Sequence, residues 1–484
     1  MIARFSISIS VSLISFFVGG VYLLGFASLP IAINRSRTPQ GATAWCIGLI
    51  SFPMIALPLF WIFGRSKFYG YVEAHRQAAS EISNDLVQYR RTVTSFSADA
   101  VPGLESLFGI VASVMKSPFI KGNKVELLID GEATYRSMLE SISGATKYIL
   151  IQFYIFRDDE IGNKFVDALM AQVKRGVAIY FLYDNIGSSK LSKRFVKRLS
   201  QNGVNIFAFK TSKHKSRIQI NFRNHRKLLV VDGNTAHIGG LNIGDDYLGT
   251  YKKIGAWRDT HVKISGVAVL EAQLNFIKDW YWEAEKVPAL DWTPFVVDGT
   301  ANVAVVNTGP ADDTSFAAII HLDAFNSAKK RIWIANPYFI PDEPVERALQ
   351  LAVLRGVDVR CLVPSRNDNK VIHMASKIYM DRLVRVGAKF YNYAGRKRVF
   401  MHSKTFLVDD LLSSVGTTNL DNRSLHINFE AQALIVDKDF ASQMEVMFLR
   451  DFAASVPVAT NFFRRRSYWY RLTAKALNLS SPML

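Results

Sequence analysis

Two segments of the chain follow one plan. KYILIQFYIFRDDEIGNKFVDALMAQVKRGVAIYFLYD starts at Lys147 and RIWIANPYFIPDEPVERALQLAVLRGVDVRCLVP at Arg331. Each runs from an apolar stretch through a turn into a helical apolar pattern, then through Arg-Gly-Val into a second apolar stretch. Arg175-Gly176-Val177 thus recurs as Arg355-Gly356-Val357. Further on, Gly203 before VNIFAF answers to Gly387 before AKFYNY, an offset of 387 − 203 = 184 residues. That lag is far too long for a solenoid unit and suits a duplicated domain. Alternating strand and helix patterns specify α/β architecture, with helices packed on a central sheet in each copy. The expected organisation is a first lobe over 119–298 and a second over 299–484, joined at Trp292–Gly299. A linker with an amphipathic helix (67–118) and an N-terminal segment (1–66) precede them.

The N-terminal segment narrows the choice of partner. No charged residue occurs from Phe5 to Asn34, nor from Thr38 to Gly64. Each stretch can hold the roughly 20 apolar residues that a bilayer core requires of a helix. Trp45 and Trp61 lie near the ends of the second, where amphipathic rings favour the interface, and Pro53 and Pro58 are tolerated in membrane helices. The first stretch is too long for a signal peptide and is followed by another, so two transmembrane helices are expected. Arg4, Arg65, Lys67 and Arg76 outnumber Arg35 and Arg37 between the spans, which places the lobes on the cytoplasmic side of the membrane. A net charge of +18 fits an anionic membrane surface.

The chemistry sits in two strands that begin with charge. In NHRKLLVVD, His225, Lys227 and Asp232 are followed by Gly239 and Asn242, at offsets of 0, 2, 7, 14 and 17 from the histidine. His402, Lys404, Asp409, Gly416 and Asn419 fall at the same offsets, 402 − 225 = 177 residues on. A lone His-Lys pair would read as a solvated strand end, but that reading does not explain the duplication. Period-two geometry puts histidine and lysine on one side of the strand and the aspartate on the other, which makes the aspartate a scaffold residue. Two histidines and two lysines suit a phosphodiester. One neutral imidazole attacks phosphorus and the other, as imidazolium, protonates the departing alkoxide. The lysines, with Asn242 and Asn419, would hold the non-bridging oxygens. No Cys/His cluster has zinc spacing and no nucleotide-binding signature opens a helix, so neither metal nor cofactor is expected. Cys46 and Cys361 form no disulfide framework.

HRKLLVVDGNTAHIGGLN and MHSKTFLVDDLLSSVGTTN resemble the HKD motifs of the phospholipase D superfamily. With the two N-terminal spans, RTPQGATAW between them and VGTTNLDNRSLHINFE near the end, the whole chain is similar to bacterial cardiolipin synthases of that superfamily. The resemblance implies two tandem phospholipase D-like α/β lobes with the active site at their interface, and a bacterial inner-membrane location. It marks His225, Lys227, Asp232, His402, Lys404 and Asp409 as the catalytic set, with His225 forming a phosphohistidine and His402 acting as acid and then base. It also implies that Asp259, in WRDTH, and Glu430, in NFEAQ, orient the imidazoles across the lobes. The implied partners are phosphatidylglycerol and anionic membrane lipids rather than nucleic acid. The implied reaction transfers a phosphatidyl group from one phosphatidylglycerol to another. Hydrolysis to phosphatidic acid is the alternative, because water and a glycerol hydroxyl attack the same intermediate. In the second copy Gly416-Thr417-Thr418-Asn419 departs from Gly-Gly-x-Asn, which predicts a local change in the loop.

Three further stretches are basic or amphipathic. Lys210 to Lys227 carries seven lysines and arginines, and Gly395–Arg398 reads GRKR. Both suit rims that gather anionic head groups. FFRRRSYWYRL (Phe462–Leu472) suits either the membrane interface or a helix packed on the second lobe. LESLFGIVASVMK (Leu104–Lys116) has helical spacing compatible with bilayer or domain.

Overall fold

The computed structural model describes residues 2–64, 68, 70–211, 221–249, 255–393 and 399–483, with side chains from residue 14 onward. Most of the basic stretch before the first motif (212–220), and GRKR before the second, lie outside the described residues. The chain forms two compact units, 1–70 with 211–222, and 71–210 with 223–484.

The first unit contains helices Ile2–Arg35, Pro39–Ser51 and Pro53–Phe63. Among the described residues one helix, Ile14–Arg35, is long and apolar enough to cross a bilayer. The second apolar stretch, expected as a single span, is broken at Phe52, whose φ of −137° and ψ of 55° leave the helix. Pro53 is the cause: it lacks the N–H that would continue the ladder, and its ring disfavours helical geometry in the residue before it. Ala32, Leu49, Ala56 and Phe60 pack together. Gly25 allows a close approach, since a Cβ there would lie 2.7 Å from the Leu49 carbonyl oxygen. Phe16, Leu23 and Ile55 remain exposed.

The second unit carries both lobes. Its strands in chain order are β1 (Ile120–Ile129), β2 (Tyr148–Phe153), β3 (Ala178–Asp184), β4 (Asn205–Phe209), β5 (Lys227–Val231), β6 (Thr235–Gly239), β7 (Ala256–Arg258) and β8 (Thr260–Ser265) in the first half. The second half supplies β9 (Ala301–Thr308), β10 (Arg331–Ala335), β11 (Asp358–Pro364), β12 (Lys389–Tyr393), β13 (Val399–Met401), β14 (Thr405–Val408), β15 (Leu412–Gly416), β16 (Glu430–Val436) and β17 (Ser455–Pro457). All but β7 and β13 join one sheet in the order β17-β12-β11-β10-β14-β15-β16-β9-β1-β8-β6-β5-β2-β3-β4. Outward from the antiparallel β1–β9 junction the two halves repeat each other strand for strand, with β17 as an extra edge. Two tandem α/β lobes therefore share one sheet.

Within each lobe the repeated segment is a pair of parallel strands linked by a crossover helix. Strand β2 is buried along its whole length, as a strand covered on both faces must be. Helix Glu160–Lys174 starts at Asp159, whose carboxylate accepts from Gly162 N at 2.9 Å; helix Glu343–Leu354 starts at Asp342, which accepts from Val345 N at 3.1 Å. The repeated Arg-Gly-Val ends both helices. Gly176 and Gly356 take φ of 84° and 86°, the left-handed conformation that closes a helix and turns the chain into the next strand.

The region expected as a linker contains helices Tyr71–Glu81, Ser83–Ser95 and Glu105–Met115. Leu107, Phe108 and Val111 of the last one enter the core of the second lobe, so that amphipathic stretch packs on the domain. Near the other end, helix Tyr468–Asn478 buries Ala474, and Phe463 before it joins the same core, while Tyr468 and Trp469 are exposed.

Candidate active site

Each motif head is stitched to the other lobe by backbone. His225 N donates to Phe429 O at 2.9 Å, and His402 N donates to Arg258 O at 2.8 Å. Asn224 bridges Phe429 in parallel, and β13 pairs in parallel with β7, placing Met401 against Arg258. The residue after each of these partners is an acid. Glu430 and Asp259 are thereby carried to the opposite histidine.

The side chains complete the exchange. His225 Nδ1 lies 2.9 Å and 3.1 Å from the two oxygens of Glu430, and His402 Nδ1 lies 2.6 Å from Asp259 Oδ2. A carboxylate only accepts, so each Nδ1 carries the proton and each Nε2 presents its lone pair. Neither Nε2 has a hydrogen-bond partner among the described residues. Lys227 Nζ donates to His225 O at 2.6 Å; Lys404 Nζ donates to His402 O and lies 2.8 Å from His402 Nδ1. Aromatic rings wall the site: Tyr154 stands 5.0 Å from the His225 ring and Trp257 4.6 Å from His402.

Desolvation governs the charges. Burial pushes His225 down to about 4, against the pull of Glu430, and carries His402 well below the ordinary imidazole range with Lys404 and Lys227 adding to the effect. Burial likewise lowers Lys227 to about 7 and Lys404 to about 8. It also raises Asp259, an effect that Lys404 opposes. At Glu430 burial is outweighed by His225, Lys227 and Thr417, which hold the carboxyl below its usual range. The four basic groups are buried close to one another around the Glu430 and Asp259 carboxylates, and a further anion bound there would favour their charged forms.

The other expected site residues fall in different places. Asp232 and Asp409 sit at the far ends of β5 and β14, roughly 20 Å from the histidines at about 3.3 Å per residue. Their carboxylates accept from backbone: Asp232 from Thr146 N, Lys147 N and Tyr148 N at 2.8–2.9 Å, and Asp409 from Lys329 N, Lys330 N and Arg331 N at 2.8–3.2 Å. These contacts tie the strand carrying His225 or His402 to its neighbour, the scaffold position that strand alternation assigns to the aspartates. Asn242 spends its amide within the loop, accepting from Ile155 N at 3.0 Å and donating to Tyr247 Oη at 2.8 Å. Asn419 keeps a buried Oδ1 with no partner among the described residues.

The Gly-Gly against Gly-Thr difference has a physical reason. A Cβ on Gly240 would lie 2.0 Å from Asp259 Oδ1, so glycine makes room for the carboxylate. Thr417, at the matching position, donates instead to Glu430 Oε2 at 2.5 Å and accepts from Ala431 N at 2.9 Å. Sequence reasoning also missed two buried guanidiniums. Arg226 binds both oxygens of Asp279 at 2.5 Å and donates to Glu430 O and Thr308 O at 3.1 Å. Arg258 binds Asp451 at 2.7 Å and 3.2 Å. One signal was available: Arg226 and Arg258 each adjoin a residue of the site. Their acids, 53 and 193 residues away, left none.

Two histidine half-sites closed by each other's lobe on a duplicated α/β sheet define the phospholipase D class of phosphodiester enzyme. The family model described as "Cardiolipin synthase, PLD-like domain" matches residues 138–260 and 321–452. Cardiolipin synthase A of Pseudomonas aeruginosa (strain LESB58) is 40% identical over 469 residues, covering 96% of this chain and 95% of that protein. Cardiolipin synthase A of Pseudomonas fluorescens (strain SBW25) is 39% identical over 475 residues, covering 98% of each. Among solved structures, the phosphatidylserine synthase of Haemophilus influenzae Rd KW20 shares the fold, with a TM-score of 0.61 at 16% identity over 78% of this chain and 100% of that one. The chain belongs to the cardiolipin synthase family of phospholipase D-like enzymes.

Proposed function

We propose that the chain transfers the phosphatidyl group of one phosphatidylglycerol to the free glycerol hydroxyl of another, giving cardiolipin and glycerol. The observation that carries the reading is the reciprocal pair of contacts, His225 with Glu430 and His402 with Asp259, each crossing between lobes. His225 Nε2 attacks phosphorus, forming the P–N bond as the P–O bond to glycerol breaks. His402, protonated at Nε2 once the substrate phosphate brings negative charge into the pocket, gives that proton to the leaving oxygen. In the second half the incoming hydroxyl yields its proton to His402 and attacks phosphorus, and the P–N bond breaks. Lys227 and Lys404 turn from backbone carbonyls to the non-bridging oxygens as charge builds there. Asn419, with its unspent Oδ1 and amide, is the asparagine that faces substrate; Asn242 positions the loop. A phosphoester is exchanged for a phosphoester, so no cofactor or nucleotide activation is required.

Helix Ile14–Arg35 is one membrane crossing in this reading. Pro39–Ser51 and Pro53–Phe63 together form the second, kinked at Phe52, with the lobes on the cytoplasmic side of a bacterial inner membrane. Exposed apolar side chains on these helices support it.

The test is to incubate the purified chain with phosphatidylglycerol alone and identify the products by mass. Cardiolipin and glycerol are expected. Phosphatidic acid and glycerol without cardiolipin would make the enzyme a hydrolase.

A further inference from the structure

A cavity of about 160 Å3 lies against the site without belonging to it. His75, Lys278, Asn307, Asp312, Arg226 and Phe429 line it, whereas His225, Lys227, His402 and Lys404 do not. The separation follows from alternation along the chain. Arg226 and Phe429 turn away from the side to which their neighbours His225 and Glu430 point.

Its polar groups are short of partners. The Lys278 ammonium has, among the described residues, one hydrogen bond, a long 3.5 Å contact to Asn275 Oδ1. His75 Nε2 and Asn307 Oδ1 are buried with no partner among the described residues. Asp312 accepts from Gly309 N at 2.7 Å. Arg226 is already held by Asp279, Glu430 O and Thr308 O, which leaves Lys278, whose neighbouring acids are Asp312, Asp279 and Glu271, as the lining cation with the fewest hydrogen bonds. A buried ammonium with so little to bind, in a space wide enough for several waters, favours an anion rich in acceptor oxygens.

We propose that this cavity is a second, non-catalytic site for a phosphate-type anion. Lys278 supplies the charge, and His75 donates through Nε2–H. Asn307 donates through its amide, whose oxygen and nitrogen exchange places by a flip of the group. Asp312 does not oppose the anion: burial pushes its carboxyl up to about 6, so beside a phosphate it takes a proton and donates. Burial likewise lowers Lys278, and a bound anion acts against that shift by favouring the ammonium form. Occupancy reaches the catalytic side through Arg226, which neighbours His225 in sequence and donates to the backbone of Glu430.

Either a free phosphate or the head group of an anionic phospholipid supplies this chemistry. The experiment is equilibrium binding of radiolabelled inorganic phosphate to the full chain in phosphatidylcholine nanodiscs. Lys278→Met and His75→Phe should each lose one bound phosphate per chain relative to wild type, whereas Lys227→Met combined with Lys404→Met should keep that one. His75→Phe replaces a buried ring nitrogen that has no partner among the described residues and should melt at or above wild type, whereas Lys278→Met removes a cation facing Asp312 and Asp279 and should melt lower, so binding is compared well below both melts. Doping the nanodiscs with phosphatidic acid separates the sources. Loss of the Lys278-dependent phosphate assigns the site to a lipid head group, and its retention assigns it to free phosphate. Equal phosphate stoichiometry in wild type, Lys278→Met and His75→Phe would overturn the proposal.

Discussion

The two imidazoles are set by what holds Nδ1. Replacing Glu430 by Gln keeps the size of the side chain but lets an amide nitrogen face Nδ1, so the proton is free to move to Nε2 and block attack. By comparison with the carboxylate of a hydrolase triad, turnover should fall roughly 100- to 10,000-fold with little change in KM, in steady-state assays. Thr417→Val removes a donor from a buried carboxylate, an effect of about 1–3 kcal/mol, and should lower kcat by about tenfold or more. A variant indistinguishable from wild type would show that the Thr417 contact does not support catalysis. The pH profile follows from the directions given above. His225, lowered to about 4, is neutral above that pH; Lys227 and Lys404, lowered to about 7 and 8, lose charge above those values. For the free enzyme, kcat/KM should rise as pH climbs through about 4 and fall across about 7–8, with both limbs belonging to the coupled cluster. A rate still climbing at pH 9 would contradict this assignment of charges.

At the scale of elements, Asp232 and Asp409 act as clamps between strands. Both take left-handed backbone, with φ of 54° and 52°. Asp232→Ala adds the strain of alanine in that conformation to the loss of an acceptor for several N–H groups, roughly 2–3 kcal/mol in all. Asp232→Asn tolerates the conformation, keeps one acceptor and should cost less. Thermal melts should rank wild type, Asn and Ala in that order, while kcat measured well below the melt stays within a few-fold of wild type. A large loss of kcat in a fully folded Asp232→Asn would return the residue to the catalytic set. These strands were legible in the sequence because a strand covered on both faces is a continuous apolar run and because the copies check each other. The short strands β7 and β13 were not. Each has three residues, and their pairing joins parts of the chain with no local signature. The break at Phe52 was written in Pro53, whose effect on the preceding residue outweighed the apolar run around it.

The whole molecule is held by contacts that only the finished chain can make. Arg258 and Asp451 are both buried and come from different lobes. Arg258→Leu strands a carboxylate and should destabilise by about 3–5 kcal/mol, whereas pairing it with Asp451→Leu should recover much of that loss in chemical denaturation. A double variant as unstable as the single would mean that the pair is not the source of the effect. The reciprocal stitching of the motif heads also bears on how the enzyme is made. His225 waits for a partner 205 residues further along the chain. At about 5–20 residues per second, the first histidine leaves the ribosome roughly 10–40 s before Glu430 does. Throughout that interval the first half-site has no carboxylate to fix its tautomer, and until the last 430 − 402 = 28 residues of it the nascent chain has no second imidazole for the site either. Synthesis itself therefore acts as a safety catch. A phosphodiester-cleaving chain that reaches the lipid surface early cannot attack it until nearly the last strand of the sheet has been added.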